Sequence, residues 1–311
     1  MFFSFVLPAY KGRFLSESIQ SILNQTYEDF ELVVVDDCSP EPIRNIVSQF
    51  NDNRITYYRN DENIGGKDLV AQWNYCLTHA KGDYVILATD DDIYEPTFLS
   101  EFYSLIKKYP KVSVFRSRII DINGDGNILW FDRCYKEFLN QGEFFYCFFQ
   151  GMKGGIPQFL FKKDDLIKNG GFFRLPIAWG SDDATALMLS QNGLVNSQDL
   201  LVRFRWSDIN ISNEHNRDIT RLKIKARIKL CKWLEKEIDN VKFDNSEIGN
   251  YCRDYVIGGK NVHFKQILLK ELKNVGLLDF LPLLEVVRKG RLLSNRDLFS
   301  LVYRYLKARF L

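Results

Sequence analysis

Three consecutive aspartates, Asp90-Asp91-Asp92, stand directly after the apolar run Tyr84-Val85-Ile86-Leu87-Ala88. Carboxylates this close repel one another. A hard divalent cation, Mg²⁺ or Mn²⁺, relieves the repulsion, because it takes oxygen ligands and commonly completes its shell with substrate phosphates. In an arbitrary place such a triplet reads as a solvated turn with Asp92 capping the next helix; at the end of an apolar run it reads as a cation site. A second pair, Asp182-Asp183, opens the helix-like stretch Ala184-Thr185-Ala186-Leu187. From spacing alone it is an N-terminal cap, whereas burial beside an acceptor hydroxyl would make one of the two a general base. A third pair, Asp36-Asp37, closes the run Glu31-Leu32-Val33-Val34-Val35.

The elements that must hold these carboxylates follow from periodicity. Residues 3–7, 31–35, 55–59 and 84–88 are short apolar or β-branched runs, the pattern of strands buried on both faces. Between them Leu15, Ile19, Ile22 and Leu23, then Leu69, Val70, Trp73 and Leu77, mark single sides of helices. The alternation predicts βαβ units and an α/β fold with a mainly parallel sheet and flanking helices. Residues 112–120 read as a further strand and 137–149 as an aromatic-rich helix, broken afterwards by Gly151, Gly154, Gly155 and Pro157. Ligands of open α/β sheets bind beyond the carboxyl ends of the strands, where Pro8-Ala9-Tyr10, Asp36-Asp37 and Asp90-Asp91-Asp92 lie. No GxGxxG follows the first run, which speaks against a dinucleotide cofactor.

With 311 residues, 46% apolar and 26% charged, the composition is that of a folded protein and excludes disordered and fibrous classes. Even the stretch from Val275 to Val287 is broken by Asp279, Pro282 and Glu285, so no bilayer span is expected. Six scattered cysteines without a CxxC pair read as reduced thiols. The first residues lack a basic region and cleavage site, and the expected location is cytoplasmic. Residues 1–215 hold 21 Lys and Arg against 29 Asp and Glu, a net of −8, and residues 216–311 hold 21 against 11, a net of +10, together the overall +2. This marks a boundary between a unit at 1–215 and a basic, mainly helical region at 216–311. In 285–311 basic and apolar residues interleave. That pattern reads either as a helical cap with a solvated face or as an amphipathic surface on the anionic inner face of the cell membrane. The acidic first part, without a recognisable reader module, argues against nucleic acid as a partner.

The motifs, taken together, resemble family 2 glycosyltransferases, inverting enzymes of GT-A fold. The match runs through Phe5-Val6-Leu7-Pro8-Ala9-Tyr10, Ser18-Ile19-Gln20-Ser21-Ile22-Leu23-Asn24-Gln25-Thr26-Tyr27 and Val35-Asp36-Asp37-Cys38-Ser39. It continues through Asn63-Ile64-Gly65-Gly66, Thr89-Asp90-Asp91-Asp92, Gly170-Gly171-Phe172 and Ser181-Asp182-Asp183, covering about residues 3 to 212. The resemblance implies a GT-A domain that uses a nucleotide-diphosphate donor, in the first instance a UDP-sugar, a divalent cation, Mn²⁺ or Mg²⁺, and a glycan or lipid-linked acceptor, as in bacterial polysaccharide and capsule synthesis. It implies a nucleotide pocket at Pro8, Ala9, Tyr10, Asp37 and Asp90, with Asp37 facing the uracil ring. Asp91 is the implied metal contact, with Asp90 and Asp92 beside it, and Asp183 the implied catalytic base. Where the family carries an arginine before the asparagine of the 65–74 segment this chain has none, and Lys67 is the candidate replacement. The family's late histidine is missing after Phe204-Arg205, and His215 is the residue that would stand in for it. Two other functions fit parts of the pattern. A sugar-phosphate nucleotidyltransferase would carry a glycine-rich basic loop where this chain has Pro8-Ala9-Tyr10-Lys11-Gly12-Arg13. A catalytically inactive nucleotide-sugar-binding protein is suggested by the unusual 184–187 stretch.

Overall fold

The computed structural model describes residues 1–152, 154–207, 216–256, 268, 269, 272, 275–291 and 293–310. The first four runs are strands β1 (Phe3–Ala9), β2 (Phe30–Asp36), β3 (Ile55–Arg59) and β4 (Tyr84–Leu87). They pair in parallel in the order β3-β2-β1-β4. Helices α1 (Leu15–Leu23), α2 (Ile43–Val47) and α3 (Leu69–Leu77) supply the crossovers. Beyond β4 the sheet changes direction. β9 (Phe159–Lys162) lies antiparallel between β4 and β6 (Val114–Asn123), and β6 runs parallel to the long β10 (Leu194–Trp206). The two-residue β5 (Ile93–Tyr94) closes the edge on β10, while β7 (Ile128–Phe131) and β8 (Phe138–Leu139) are short antiparallel additions. The sheet is thus mixed, with its parallel half carrying the motif-bearing strand ends.

Both faces of β1, β2 and β4 are buried, the edge strand β3 is half-buried, and alternation sorts the side chains. Phe3, Phe5 and Leu7 of β1 and Leu32 and Val34 of β2 enter one core, with α1 and α4 (Phe98–Lys108). Val6, Val33 and Val35 enter the opposite core, with α3, α5 (Gln141–Phe149) and α7 (Ser181–Leu189). Each such buried side chain contributes roughly 1.5–3 kcal/mol relative to exposure, which is why a continuous apolar run, rather than an alternating one, specifies these strands. The aromatic stretch expected to be helical from 137 begins its helix at Gln141. Phe138 and Leu139 pair with β10, and Asn140 then stops the strand with a reciprocal cap: its side chain accepts from Glu143 N at 2.8 Å and its own N–H donates to the Glu143 carboxylate at 3.1 Å.

Helix α8 (Arg217–Glu237) starts at the Asn216 cap, and α9 (Ser246–Asp254) starts at Asn245. Their apolar residues Ala226, Leu230, Leu234 and Cys252 join the same core as β1 and β2, so the first C-terminal helices complete the sheet layer. Helices α10 (Leu277–Gly290) and α11 (Asn295–Phe310) cover the other side of α8, where Ile224 and Ile228 meet Leu283, Val287, Leu301 and Tyr305. Among the described residues no helix is long and apolar enough to cross a membrane.

Candidate active site

The acidic turn after β4 is tied down from three directions. One Asp90 oxygen accepts from the backbone N–H groups of Tyr10 (3.0 Å) and Lys11 (2.8 Å), which joins the end of β1 to the end of β4. Asp92 is buried, its carboxylate accepting from the Thr89 hydroxyl and from Arg205 N at 2.8 Å. The buried Arg205 guanidinium donates to the Asp91 carbonyl at 2.9 Å, to the Gly124 carbonyl at 3.1 Å and to Glu17 of α1, and it lies over the Phe14 ring. With one oxygen of Asp90 and both of Asp92 engaged, Asp91 lines a cavity between them. Burial first and Asp90 second push the Asp91 carboxyl up to about 6. Burial likewise raises Asp90, and burial with Asp91 raises Asp92 well above the carboxylate range. Nearby positive charge would lower all three.

Asp37 sits at the end of β2. Its oxygens accept from Asn60 Nδ2 (2.7 Å), Ile64 N (2.8 Å) and Gly65 N (2.7 Å). A carboxylate has about four lone-pair sites, so three such bonds still leave capacity for one more donor. The loop must approach closely to make them: a Cβ added at Gly65 would lie 2.8 Å from Asp37 Oδ2. Asp36, by contrast, points away from the cavity and is held by Arg59, Tyr57 and Ser39 N.

Asp182 and Asp183 occupy the first turn of α7, but neither is its cap. That position belongs to Gly180 (φ 85°), with no side-chain cap bond. Asp182 Oδ1 accepts from Asp183 N at 2.9 Å. The Asp183 carboxylate packs against Gly154, in space a side chain there would take. Burial, reinforced by Asp182, raises the Asp183 carboxyl well above its ordinary range, opposed by Arg227 and Arg116. Burial raises Asp182 to about 6. The segment leading in is held unusually: Ile177 (φ 49°) and Ala178 (φ 56°) both adopt left-handed backbone, costly for a β-branched residue and typical of functional sites.

One cavity of about 910 Å³ receives Pro8, Tyr10, Asp37, Asp90, Asp91 and Asp183. The structure therefore brings the three acidic pairs' second members to a common space. Asp92 touches the same cavity, although its oxygens are engaged in holding the turn. Ala9 is buried beneath, its carbonyl accepting from Asp37 N. Lys67 does not line the cavity; it pairs with Glu62 at 2.5 Å on the exposed loop. Among the described residues Lys11 is the lysine at the wall. His215 lies outside the described residues. Gly154, Arg205 and Arg227 were not readable as site residues, since glycine and arginine without a motif carry no local signal.

The donor set suits a hard cation, since the turn offers only carboxylate oxygens and their mutual repulsion favours positive charge. Among the described residues no three His, Cys, Asp or Glu side chains form a preassembled cation cage. A cation held by Asp91 beside Asp90 would thus draw its remaining ligands from a bound diphosphate and water.

The sequence model of glycosyl transferase family 2 matches residues 4–167, slightly more than half of the chain. A protein of Escherichia coli named as a colanic acid biosynthesis glycosyl transferase, WcaA, is 37% identical over 102 residues, which cover 32% of this chain and 36% of that protein. The chain spans between about a third and a half of the length of such curated relatives. Among solved structures, that of S. aureus TarS 1-349 in complex with UDP-GlcNAc aligns with TM-score 0.60 at 17% identity, covering 99% of this chain and 89% of that one. The mannosyltransferase PcManGT of Pyrobaculum calidifontis, in complex with GDP-Man and Mn²⁺, aligns with TM-score 0.54 at 16% identity, covering 98% and 85%. These likenesses show the GT-A fold.

Proposed function

We propose that this chain, which belongs to glycosyl transferase family 2, transfers a sugar from a nucleotide-diphosphate donor, a UDP-sugar in the first instance, to a glycan or lipid-linked acceptor with inversion at the anomeric carbon. The observation that carries the reading is the opening of Asp37, Asp91 and Asp183 onto one cavity. In this scheme the nucleotide base lies between Pro8, Tyr10 and Asp37, whose remaining lone pair accepts an imide N–H. The diphosphate reaches the acidic turn, where Asp91, with Asp90 beside it, would hold Mn²⁺ or Mg²⁺. A cation there supplies charge to offset the departing diphosphate. Asp183, with its raised proton affinity, takes the proton of the acceptor hydroxyl as that oxygen attacks. Arg205 fixes the turn through the Asp91 carbonyl and acts as a positioning residue.

The test is release of UDP from a panel of UDP-sugars in the presence of Mn²⁺ or Mg²⁺. Cation-dependent turnover is expected, lost in both Asp91→Asn and Asp183→Asn, with UDP binding retained in the latter. Release of pyrophosphate would point to nucleotidyl transfer, and donor binding without turnover against any acceptor to an inactive binder.

The membrane component of the proposal rests on a groove of about 640 Å³ between α8 and α10, where Arg217, Arg221, Lys225, Lys229, Lys232 and Lys289 outnumber the acidic Asp218 and Glu285. Leu278 (91% exposed) and Phe299 (75%) stand on the adjoining helices. A basic face beside exposed apolar side chains suits an anionic membrane surface.

A further inference from the structure

The cavity extends past Asp183 along α8. Its wall there has two parts. Trp179 Nε1 and Arg227 Nε are buried N–H donors with no hydrogen-bond partner among the described residues, and both residues line the cavity. Farther in, the lining is apolar: Phe148 and Phe149 from α5, Leu230 and Leu234 from α8, and Tyr255 and Val256 after α9.

A buried donor without an acceptor loses its bonds to water and gains nothing in return. Two of them in one wall, one belonging to a guanidinium, form a site waiting for oxygen, and guanidinium favours anionic oxygen of phosphate or carboxylate type. Lys223 adds positive charge, its Nζ 4.4 Å from the Trp179 ring centroid. Asp182 and Asp183 line the same cavity, and Arg227 partly offsets their charges. An acceptor seated there has its anionic group within the reach of Arg227 and its hydroxyl on the side of Asp183. The apolar part beyond cannot satisfy a polar sugar chain, but it suits hydrocarbon.

We infer that this part of the cavity is an acceptor subsite for a lipid-linked phosphate, the phosphate oxygens taken by Trp179 Nε1 and Arg227 and the hydrocarbon chain lying between α5, α8 and the side chains of Tyr255 and Val256. The inference rests on the transferase reading and names its acceptor class. It also gives the C-terminal helices, which lie outside the 4–167 segment, a part in the site.

The test uses the full chain, labelled with ¹⁵N on the indole nitrogens and saturated with UDP and Mn²⁺ so that the donor pocket is filled. The Trp179 indole signal is assigned by its loss in Trp179→Phe. Three probes are titrated: octyl phosphate, methyl phosphate and octyl glucoside. Octyl phosphate is expected to shift the Trp179 signal. If two of its extra methylene groups are buried, it half-saturates at a concentration about tenfold or more below methyl phosphate. Arg227→Gln is expected to weaken octyl phosphate about tenfold, with Arg227→Lys between the two, while UDP still binds. Equal potency of octyl and methyl phosphate would overturn the lipid part and leave a soluble phosphorylated glycan as the acceptor. Equal potency of octyl glucoside would overturn the anionic part. No shift with any probe in a protein that binds UDP would overturn the subsite, whereas failure to bind UDP would place the fault with the transferase reading.

Discussion

Replacing Gly154 by alanine tests whether Asp183 is the base. An ideal Cβ at this position falls within 3.0 Å of both Asp183 Oδ1 and Phe159 Cε2, the latter at 2.9 Å, a range real Cβ atoms essentially never occupy. Phe159 is 1% exposed and stacked on Phe161, so it has little room to retreat. The carboxylate, as the end of a side chain facing a cavity, is the group that yields. A displacement near 1 Å costs on the order of 100-fold in a reaction that depends on alignment, and general base catalysis as a whole contributes roughly 100- to 10,000-fold. Gly154→Ala should therefore lower kcat about 100-fold and leave UDP affinity within twofold, because Asp37 and Asp91 lie on other elements. The assay is UDP release at saturating donor and acceptor, with calorimetric UDP binding beside it and a thermal melt as the fold control. A folded Gly154→Ala protein with wild-type kcat would refute the claim that this contact places the base.

Other measurements bear on the same site. Because burial and Asp182 raise the Asp183 carboxyl, the base is lost as pH falls through that raised value; Asp182→Asn removes one cause and should move the acid limb of the kcat–pH profile to lower pH. The Asp91 carboxyl goes from 3.8 to about 6 on folding, so in cation-free protein its contribution to stability is present below about pH 4 and lost as pH rises through 6. Asp91→Asn should accordingly raise the melting midpoint at pH 7.5 by about 2–6 °C and abolish further stabilisation by Mn²⁺ with UDP. Arg116 and Asp132 form an ion pair with side chains 1% and 3% exposed; Asp132→Asn removes the charge of this carboxylate from beside a buried guanidinium and should cost about 3 kcal/mol in denaturant unfolding. Reversing Arg221, Lys225 and Lys229 to glutamate should abolish salt-sensitive sedimentation with anionic liposomes without altering UDP release from soluble substrates.

The parallel half of the fold was legible because β1, β2 and β4 are buried on both faces and so write nearly unbroken apolar runs, while the half-buried edge strand β3 is marked by β-branched and aromatic residues. β9 and β10 were not. Phe159–Lys162 is four residues long, and β10 carries Asn196, Ser197, Gln198 and Asp199 in mid-strand, where pairing with β6 shifts register between Asn196 and Leu200. A bulge of that kind breaks the period on which recognition depends. The aromatic helix was placed four residues early because Phe138 and Leu139 are apolar in either state, and only the Asn140–Glu143 cap separates strand from helix. In the site, the carboxylates stood at strand ends and were visible. Their supports come from distant chain segments: Arg205 reaches Asp91 across 114 residues, and Gly154 meets Asp183 across 29 residues that include β9.

That difference in supports explains why similar acidic doublets take different parts. Asp36 ends β2 and Asp37 follows it, and their carboxylates go to different partners, Asp36 to Arg59 and Tyr57 and Asp37 to the Ile64 and Gly65 N–H groups. In the turn after β4 the division is likewise made by donors. Tyr10 and Lys11 N–H take an oxygen of Asp90, Thr89 and Arg205 take both oxygens of Asp92, and Asp91 is left to the cavity. In α7 the 100° step between successive residues, with Gly154 giving way on one side, sets Asp183 apart from Asp182, which accepts its neighbour's N–H. In each doublet one carboxylate is consumed at least in part by the fold, and of these Asp90 and Asp182 also line the cavity beside Asp91 and Asp183. The consumed one matters chemically because it holds a second negative charge beside a desolvated first: around Asp183 that charge raises the proton affinity of a base, and around Asp91 it raises the attraction for a cation. Exchanging the two sites' neighbours would therefore change their chemistry more than exchanging the aspartates themselves. Arg205→Lys should show this at Asp91: it keeps the charge but loses the fork spanning the Asp91 and Gly124 carbonyls, and the Mn²⁺ concentration for half-maximal turnover should rise about tenfold with kcat at saturating Mn²⁺ restored. A variant whose Mn²⁺ requirement is unchanged would mean that the turn holds its shape without the guanidinium.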